Sequence, residues 1–392
     1  MKKRRIAAFI IAVFVVLNAA VPVSAQEYTV KVSAKAAILI EATTGKVLYE
    51  KNANQRLPMA STTKIMSAML TLEQPDLDEY FTVDSNAIQV EGSSMGLVEG
   101  DQVSLRALAY GMLLPSGNDA ANAAAVKIGG SVENFIQMMN DRAASLGLND
   151  THFVTPSGLH DDDHYSTARD MAMLARAALR NPDFVKICSS KNAQLEFGNP
   201  PYKRWLKNSN KMLQNYEGAI GVKTGFTDEA GRCLVSAARR DGVTLICVTL
   251  NDPDDWQDAA NLLDYGFSKI TASEIPPDLA GDINITVTGG TQKSCAVELY
   301  GAATTVADPS ELKAKVYVEQ FYYAPVHAGE IIGRVDYLYE GEVVASQQLM
   351  ASETVERGIS SSSEPERGFG ALFQAILNAI DSIFKFIQSF GQ

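Results

Sequence analysis

The sequence predicts an α/β (α+β) domain with an antiparallel sheet and a helical insert, followed by a small all-β domain and a C-terminal amphipathic helix. Three observations predict it. Strand-like apolar runs stand on either side of a long stretch of helical periodicity, the pattern changes to short alternating strands after a Pro-Pro pair, and the last 24 residues repeat apolar side chains at helical spacing.

The N-terminus carries Lys2, Lys3, Arg4 and Arg5, an apolar run from Ile6 to Val21, and the small-x-small sequence Val23-Ser24-Ala25. Residues 1–25 therefore read as an export signal, with a retained anchor as the alternative because so short a run is marginal for crossing a bilayer. Its removal takes the net charge from -12 to -16. So acidic a chain is not expected to bind nucleic acid.

In the first large domain, 26–273, the runs Ala36 to Ile40 and Val47 to Tyr49 flank Thr43-Thr44-Gly45-Lys46 and read as a β-hairpin. From Ser61 the period is helical through Ile65, Met66, Met69 and Leu70, then Leu105 to Leu114, Ala120 to Ile128 and Phe135 to Leu146. In "HYSTARDMAMLARAALR", Thr167 stands three residues before Asp170, as in a capping box. Strand patterning returns in "AIGVKTGF" and "RCLVSAARRDGVTLICVTLN", and a helix containing Leu262, Leu263 and Phe267 closes the unit near Ile270. The terminal strands are expected to share one sheet, with the helices inserted between them.

Glu274-Ile275-Pro276-Pro277 reads as a linker into the small all-β domain, 274–356, and the Ser-rich stretch 357–368 reads as a flexible linker. In 369–392, Leu372, Phe373, Ile376, Leu377, Ile380, Ile383, Phe384, Ile387 and Phe390 fall on one helical face. Such a helix at the end of a flexible linker is expected to lie in a membrane surface; packing on the β domain or self-association is the alternative.

Cys188, Cys233, Cys247 and Cys295 form no C-x-x-C, and the first three lie in apolar surroundings, so buried free thiols are expected even in an exported protein. His152, His160, His164 and His327 pair with no cysteine at metal-site spacing, and Asp161 to Asp163 read as a solvated turn; no metal or other cofactor is expected.

Chemistry enters through a spacing. Chance should supply about one S-x-x-K in a chain of this length, yet three occur, at Ser61, Ser310 and Ser382. Ser310 lies in the β domain and Ser382 on the polar face of the tail, without activating partners. Ser61 follows Pro58 and opens a helix, so its hydroxyl lies at the positive end of the dipole with Lys64 one turn on. A serine needs a base to become a nucleophile, and a lysine serves when desolvation or a neighbouring cation lowers its pKa. Ser116-Gly117-Asn118 follows in a loop between helices, and Lys223-Thr224-Gly225 on a strand; a second S-x-N, Ser190-Lys191-Asn192, reads as an accident in a polar loop.

S-T-T-K, S-G-N and K-T-G in this order resemble the penicillin-recognising serine acyltransferases. The surrounding "AAILIEATTGKVLYEKNANQRLPMASTTKIMSAML", "TPSGLHDDDHYSTARDMA" and "GVKTGFTDEAGRCLVSAARRDG" resemble the D-alanyl-D-alanine carboxypeptidases, the low-molecular-mass penicillin-binding proteins, from about Ala36 to Ile270 and more weakly beyond. The resemblance implies a β-lactamase/transpeptidase-like fold, peptidoglycan stem peptides as substrate, β-lactams as inhibitors, and a place at the outer face of the cytoplasmic membrane. It implies Ser61 as nucleophile, Lys64 as base, Ser116 as proton relay and Asn118 as a hydrogen-bonding partner of Lys64 and substrate. Lys223 and Thr224 would bind the terminal carboxylate, Gly225 would admit the substrate, and the N–H groups of Ser61 and Phe226 would form an oxyanion hole. Gly117 departs from the Asp or Ala common at the centre of the second motif. The rival enzyme class is a β-lactamase, against which stands the lack of an E-x-x-L-N between Ser116 and Lys223. An inactive peptidoglycan-binding module is the non-enzymatic rival.

Overall fold

The computed structural model describes residues 30–301, 305–306, 308–358, 373–380 and 382. The expected export signal, most of the linker 357–368 and most of the tail lie outside them. Two compact units meet at the Ala272/Ser273 peptide.

The first unit opens with β1 (Ala36–Glu41) and β2 (Val47–Lys51), followed by a 3-10 turn (Ala60–Thr63) that runs into α1 (Lys64–Leu72). A small two-stranded ribbon, β3 (Tyr80–Thr82) and β4 (Gln102–Ser104), precedes α2 (Leu105–Leu113), α3 (Asn118–Gly129), α4 (Val132–Ser145), α5 (Ala168–Ala178) and α6 (Pro182–Cys188). A hairpin of β5 (Asn192–Gly198) and β6 (Pro201–Lys207) comes next, where the sequence suggests only a polar loop around Asn192. The chain then forms α7 (Met212–Asn215), β7 (Ala219–Thr227), β8 (Gly231–Arg240), β9 (Val243–Leu250) and α8 (Asp255–Lys269).

The main sheet is antiparallel in the order β2-β1-β9-β8-β7, so the N-terminal hairpin and the late strands form one surface. All six residues of β1 are buried. The reason is cover on both faces: Ile38, Ile40, Ile246 and Val248 join the core of the helical insert, whereas Leu39 and Leu245 lie against Gly266 of α8. A strand covered on both sides reads as a continuous apolar run instead of an alternating one. Thr167 caps α5 by accepting from the Asp170 N–H at 3.0 Å, but the Asp170 carboxylate turns away to Asp150 and Thr151, so the box is half closed.

The four cysteines are free and buried. Cys233 stands opposite Gly225 of β7 and Cys247 opposite Ser236 of β8, an offset that keeps the two thiols from forming a cross-strand pair. Burial pushes the Cys188 and Cys233 thiols up to about 12, which makes them inert at neutral pH.

The second unit holds short strands β10 (Ser273–Glu274) and β13 (Thr305–Val306), which pair, and a sheet in the order β14-β16-β17-β12-β11-β15. Its members are β11 (Asn284–Thr288), β12 (Ser294–Tyr300), β14 (Lys313–Val318), β15 (Tyr322–Tyr323), β16 (Ile331–Tyr339) and β17 (Glu342–Ala351). Val335, Tyr337, Leu349 and Val355 centre its own core. Residues 373–380 are helical and exposed throughout, and no helix of the described residues is long and apolar enough to cross a membrane.

Because Ile38 is fully buried in the middle of the sheet, Ile38→Ala should cost about 2–5 kcal/mol, read as a lowered urea midpoint in equilibrium unfolding.

Candidate active site

The 3-10 turn that carries Ser61 is held from behind. Ala60 adopts φ 48° and the Thr62 hydroxyl donates to Met59 O at 2.6 Å, so Ser61 projects at the start of α1 and Lys64 sits one turn further on. Lys64 is wholly buried. Its Nζ donates to Ser61 Oγ at 2.8 Å, Asn118 Oδ1 at 2.7 Å and the Ser157 carbonyl at 2.6 Å. Three neutral oxygens thus take the three donor positions of an ammonium, or two donors and the lone pair of an amine with Ser61 donating in return. Burial, with Lys223 nearby as a second cation, drives the Lys64 pKa well below that of an ordinary lysine. The shift favours the amine form, and Ser61 is the only hydroxyl among its three partners.

Ser116 and Asn118 come from the loop between α2 and α3. Ser116 takes φ 68° and is nearly buried, while Asn118 donates from Nδ2 to Glu91 O at 2.7 Å and from its backbone to Ser93 O at 2.6 Å. Gly117 now has a reason: a Cβ there would come within 2.9 Å of the Met95 backbone nitrogen and 2.6 Å of an Asp119 oxygen. The next residue, Asp119, accepts from the backbone N–H groups of Met95, Gly96 and Leu97 and from Ser94 Oγ, which pins the 92–97 segment beside the cleft.

The third motif lies on β7, the edge strand of the sheet. Lys223 is 1% exposed and donates to Thr224 O at 2.8 Å, and burial lowers its pKa to about 7. Thr224 is paired with Ser209 through their hydroxyls at 2.9 Å. Gly225 lies against the serine turn, where a Cβ would stand 3.1 Å from Ser61 N, and Phe226 beyond it is 63% exposed. A cleft of about 380 Å³ is lined by Ser61, Ser116, Thr224, Gly225 and Phe226, joined by Ser209 and Arg232. Lys64, Asn118 and Lys223 stand behind that lining. The structure therefore gathers all eight sequence-singled residues around one cleft, and it leaves Ser310 bonded to Asp308 in a surface turn and Ser382 bonded to Asn378 O in the tail.

Two contributors carry no sequence signal of their own type. The Ser157 carbonyl is a main-chain acceptor, and it is placed by Gly158 at φ 83°, where any Cβ would lie 2.0 Å from Ala60 O. His164 is the other. Its Nδ1 accepts from the Val154 N–H at 2.9 Å, so Nε2 carries the proton toward Thr63 Oγ1 at 2.8 Å. Burial holds it neutral, with a pKa lowered to about 4, and it ties the segment leading to Ser157 to the serine turn. Asp161 to Asp163 form a surface turn in which the Asp163 N–H donates to Asp161 Oδ1 at 2.9 Å.

Residues 21–254 match the family described as D-alanyl-D-alanine carboxypeptidase. The chain belongs to that family. Residues 282–357 match a second family, described as the C-terminal domain of penicillin-binding protein 5. Relatives of this carboxypeptidase family member include DacC of Escherichia coli, 34% identical across 85% of this chain and 88% of that one. DacF of Bacillus subtilis is 32% identical across 83% and 86%. Among solved structures, the Streptomyces K15 DD-transpeptidase superposes with a TM-score of 0.58 at 36% identity, covering 61% of this chain and 98% of that one. DacD from Francisella tularensis gives 0.59 at 27% identity, covering 84% and 95%.

A side chain at position 158 displaces the loop that supplies the Ser157 carbonyl. Gly158→Ala should cost about 1–2 kcal/mol from left-handed strain alone, with the clash against Ala60 O added to it, and stopped-flow acylation by a fluorescent penicillin should slow at least about tenfold.

Proposed function

We propose that the protein is a serine-type D-Ala-D-Ala carboxypeptidase that removes the terminal D-alanine from peptidoglycan stem peptides and is acylated by β-lactams. The observation that carries this reading is the wholly buried Lys64 Nζ 2.8 Å from Ser61 Oγ, with a pKa that burial drives well below that of an ordinary lysine. In the proposed cycle Lys64 takes the Ser61 proton as Oγ attacks the carbonyl between the last two D-alanines. The oxyanion is received by the N–H groups of Ser61 and Phe226. Ser116, on the cleft wall, relays a proton to the nitrogen of the departing D-alanine, and Asn118 holds Lys64 and the substrate amide. Water then attacks the ester, its proton returning through Lys64, and Ser61 is restored. No cofactor enters.

The terminal carboxylate is assigned to Thr224 and Lys223. Thr224 meets it directly, and Lys223 acts through its charge from behind the strand. Gly225 keeps the strand bare so that the peptide can lie along it. Residues 26–273 form the catalytic domain in this reading, 274–356 the small β domain, and 369–392 a membrane-surface anchor that places the enzyme on the outer face of the cytoplasmic membrane. The exposed row Phe373, Ile376, Leu377 and Ile380 supports the anchor, since these positions recur at helical spacing on one face.

Ser61→Ala should lower D-alanine release by at least about a thousandfold and abolish covalent penicillin labelling. Rapid multiple turnover of penicillin by the parent would favour a β-lactamase instead.

The two lysines set opposite limbs of the pH profile. Lys64 acts as a base only above its depressed pKa, so kcat/KM rises with pH through it. Lys223 carries its charge only below about 7, so kcat/KM should bend down above that pH. Lys223→Arg, whose guanidinium stays charged, should remove the alkaline limb and leave the acid one.

Deleting 369–392 should move the protein from the membrane pellet to the soluble fraction after cell disruption; retention in the pellet would locate the anchor elsewhere.

A further inference from the structure

Ser209 lines the cleft, yet the proposed cycle gives it no task. It stands in the turn between β6 and α7, exposed between two buried neighbours, Asn208 and Asn210. Asn208 donates from Nδ2 to the carbonyls of Cys188 and Ser190 and accepts from the Asn210 N–H, and Asn210 in turn accepts from the Met212 N–H. The turn is thus fixed on both sides of Ser209, which makes two bonds of its own. Its N–H donates to Leu114 O at 3.0 Å, two residues before Ser116, and its hydroxyl pairs with Thr224 Oγ1 at 2.9 Å. One residue therefore ties the S-G-N loop to the K-T-G strand.

We propose that Ser209 is a positioning residue for the terminal carboxylate: it donates its hydroxyl proton to Thr224 Oγ1 and so keeps the Thr224 proton for the substrate. The inference rests on the assignment of that carboxylate to Thr224. A hydroxyl owns one proton and two lone pairs. The two hydroxyls together own two protons, and their mutual bond uses one. In the open cleft either group can be the donor, whereas a carboxylate only accepts. Were Thr224 to give its proton to Ser209, it would turn lone pairs toward an anion. With Ser209 donating, Thr224 presents its proton, and a hydroxyl that already accepts a hydrogen bond is the stronger donor. The Thr224 hydroxyl has no other partner among the described residues, so no second group sets its direction. Lys223 does not, because its Nζ bonds the main-chain oxygen of Thr224 at 2.8 Å.

The test measures acylation of the full chain by benzylpenicillin and by its methyl ester, which lacks the anion. Ser209→Ala keeps the backbone bond to Leu114 and removes only the hydroxyl. Its ratio of acylation rate constants, acid over ester, should fall about three- to tenfold, the effect of one hydrogen bond, and Ser209→Thr should restore the ratio. Thr224→Ala should lower the ratio at least as far, and adding Ser209→Ala to it should lower it no further, since Ser209 acts only through Thr224. A further loss in the double variant would make Ser209 a direct contact of the anion and overturn the positioning role. An unchanged ratio in Ser209→Ala, or equal losses on acid and ester, would overturn it too, the latter by making the hydroxyl structural alone. If Thr224→Ala itself keeps the parent ratio, the carboxylate is read elsewhere and the assignment to Thr224 falls together with the proposal. If only Ser209→Ala keeps it, the assignment stands and the proposal alone falls. Acylation precedes the step at which a carboxypeptidase and a β-lactamase differ, so these outcomes hold for either enzyme, and a parent that penicillin does not acylate would sink both the proposed function and the role of Ser209.

Discussion

Everything in the cleft depends on keeping one amine out of water. Lys64 is wholly buried and its pKa falls because the ammonium form is poorly solvated there, with Lys223 adding like-charge repulsion. An isolated charge in such a place costs far more than a neutral amine, so burial favours the uncharged form, opposed in part by the Asp119 carboxylate. All three acceptors within reach are uncharged oxygens. A carboxylate in place of Asn118 would favour the ammonium form.

That requirement sets the packing around it. To exclude water, α1 sits beneath the other helices, the serine turn presses on β7, and the Ser157 loop closes over Lys64. Two of these approaches are made by backbone, at Gly158 where no Cβ fits and at Gly225 where one would be tight. The turn, the strand and the loop come from parts of the chain far apart in sequence, so the sheet that joins β1 to β9 and β8 to β7 brings the chemistry together. The helices fill the space between.

Motifs made of local spacing were legible in the sequence. Ser61 with Lys64, the S-G-N loop and the K-T-G strand each depend on neighbours within a few residues, and the apolar runs of β1 and β9 announced strands expected to share one sheet, though not their burial on both faces. The Ser157 carbonyl was not legible, because every residue has a carbonyl and only the fold aims this one. His164 looked like one of four histidines without metal spacing; its two hydrogen bonds, to Thr63 and the Val154 N–H, form only in three dimensions. The β5–β6 hairpin was missed for another reason. Its outward face is polar and its inward face is partly Arg204, so the alternation that marks a strand is weak there.

Asp119 grips the 92–97 segment by main-chain N–H groups, with Ser94 Oγ as the one side-chain contact. Gly92 and Gly96 are fixed by their positive φ and Met95 and Leu97 by the core, but the grip on the backbone asks nothing of the exposed Ser93 side chain. Ser93, which faces the cleft, can therefore change over evolutionary time without moving the loop. In that sense a single carboxylate separates shape from preference: the rim at Ser93 is open to point substitution while the loop that carries it stays fixed.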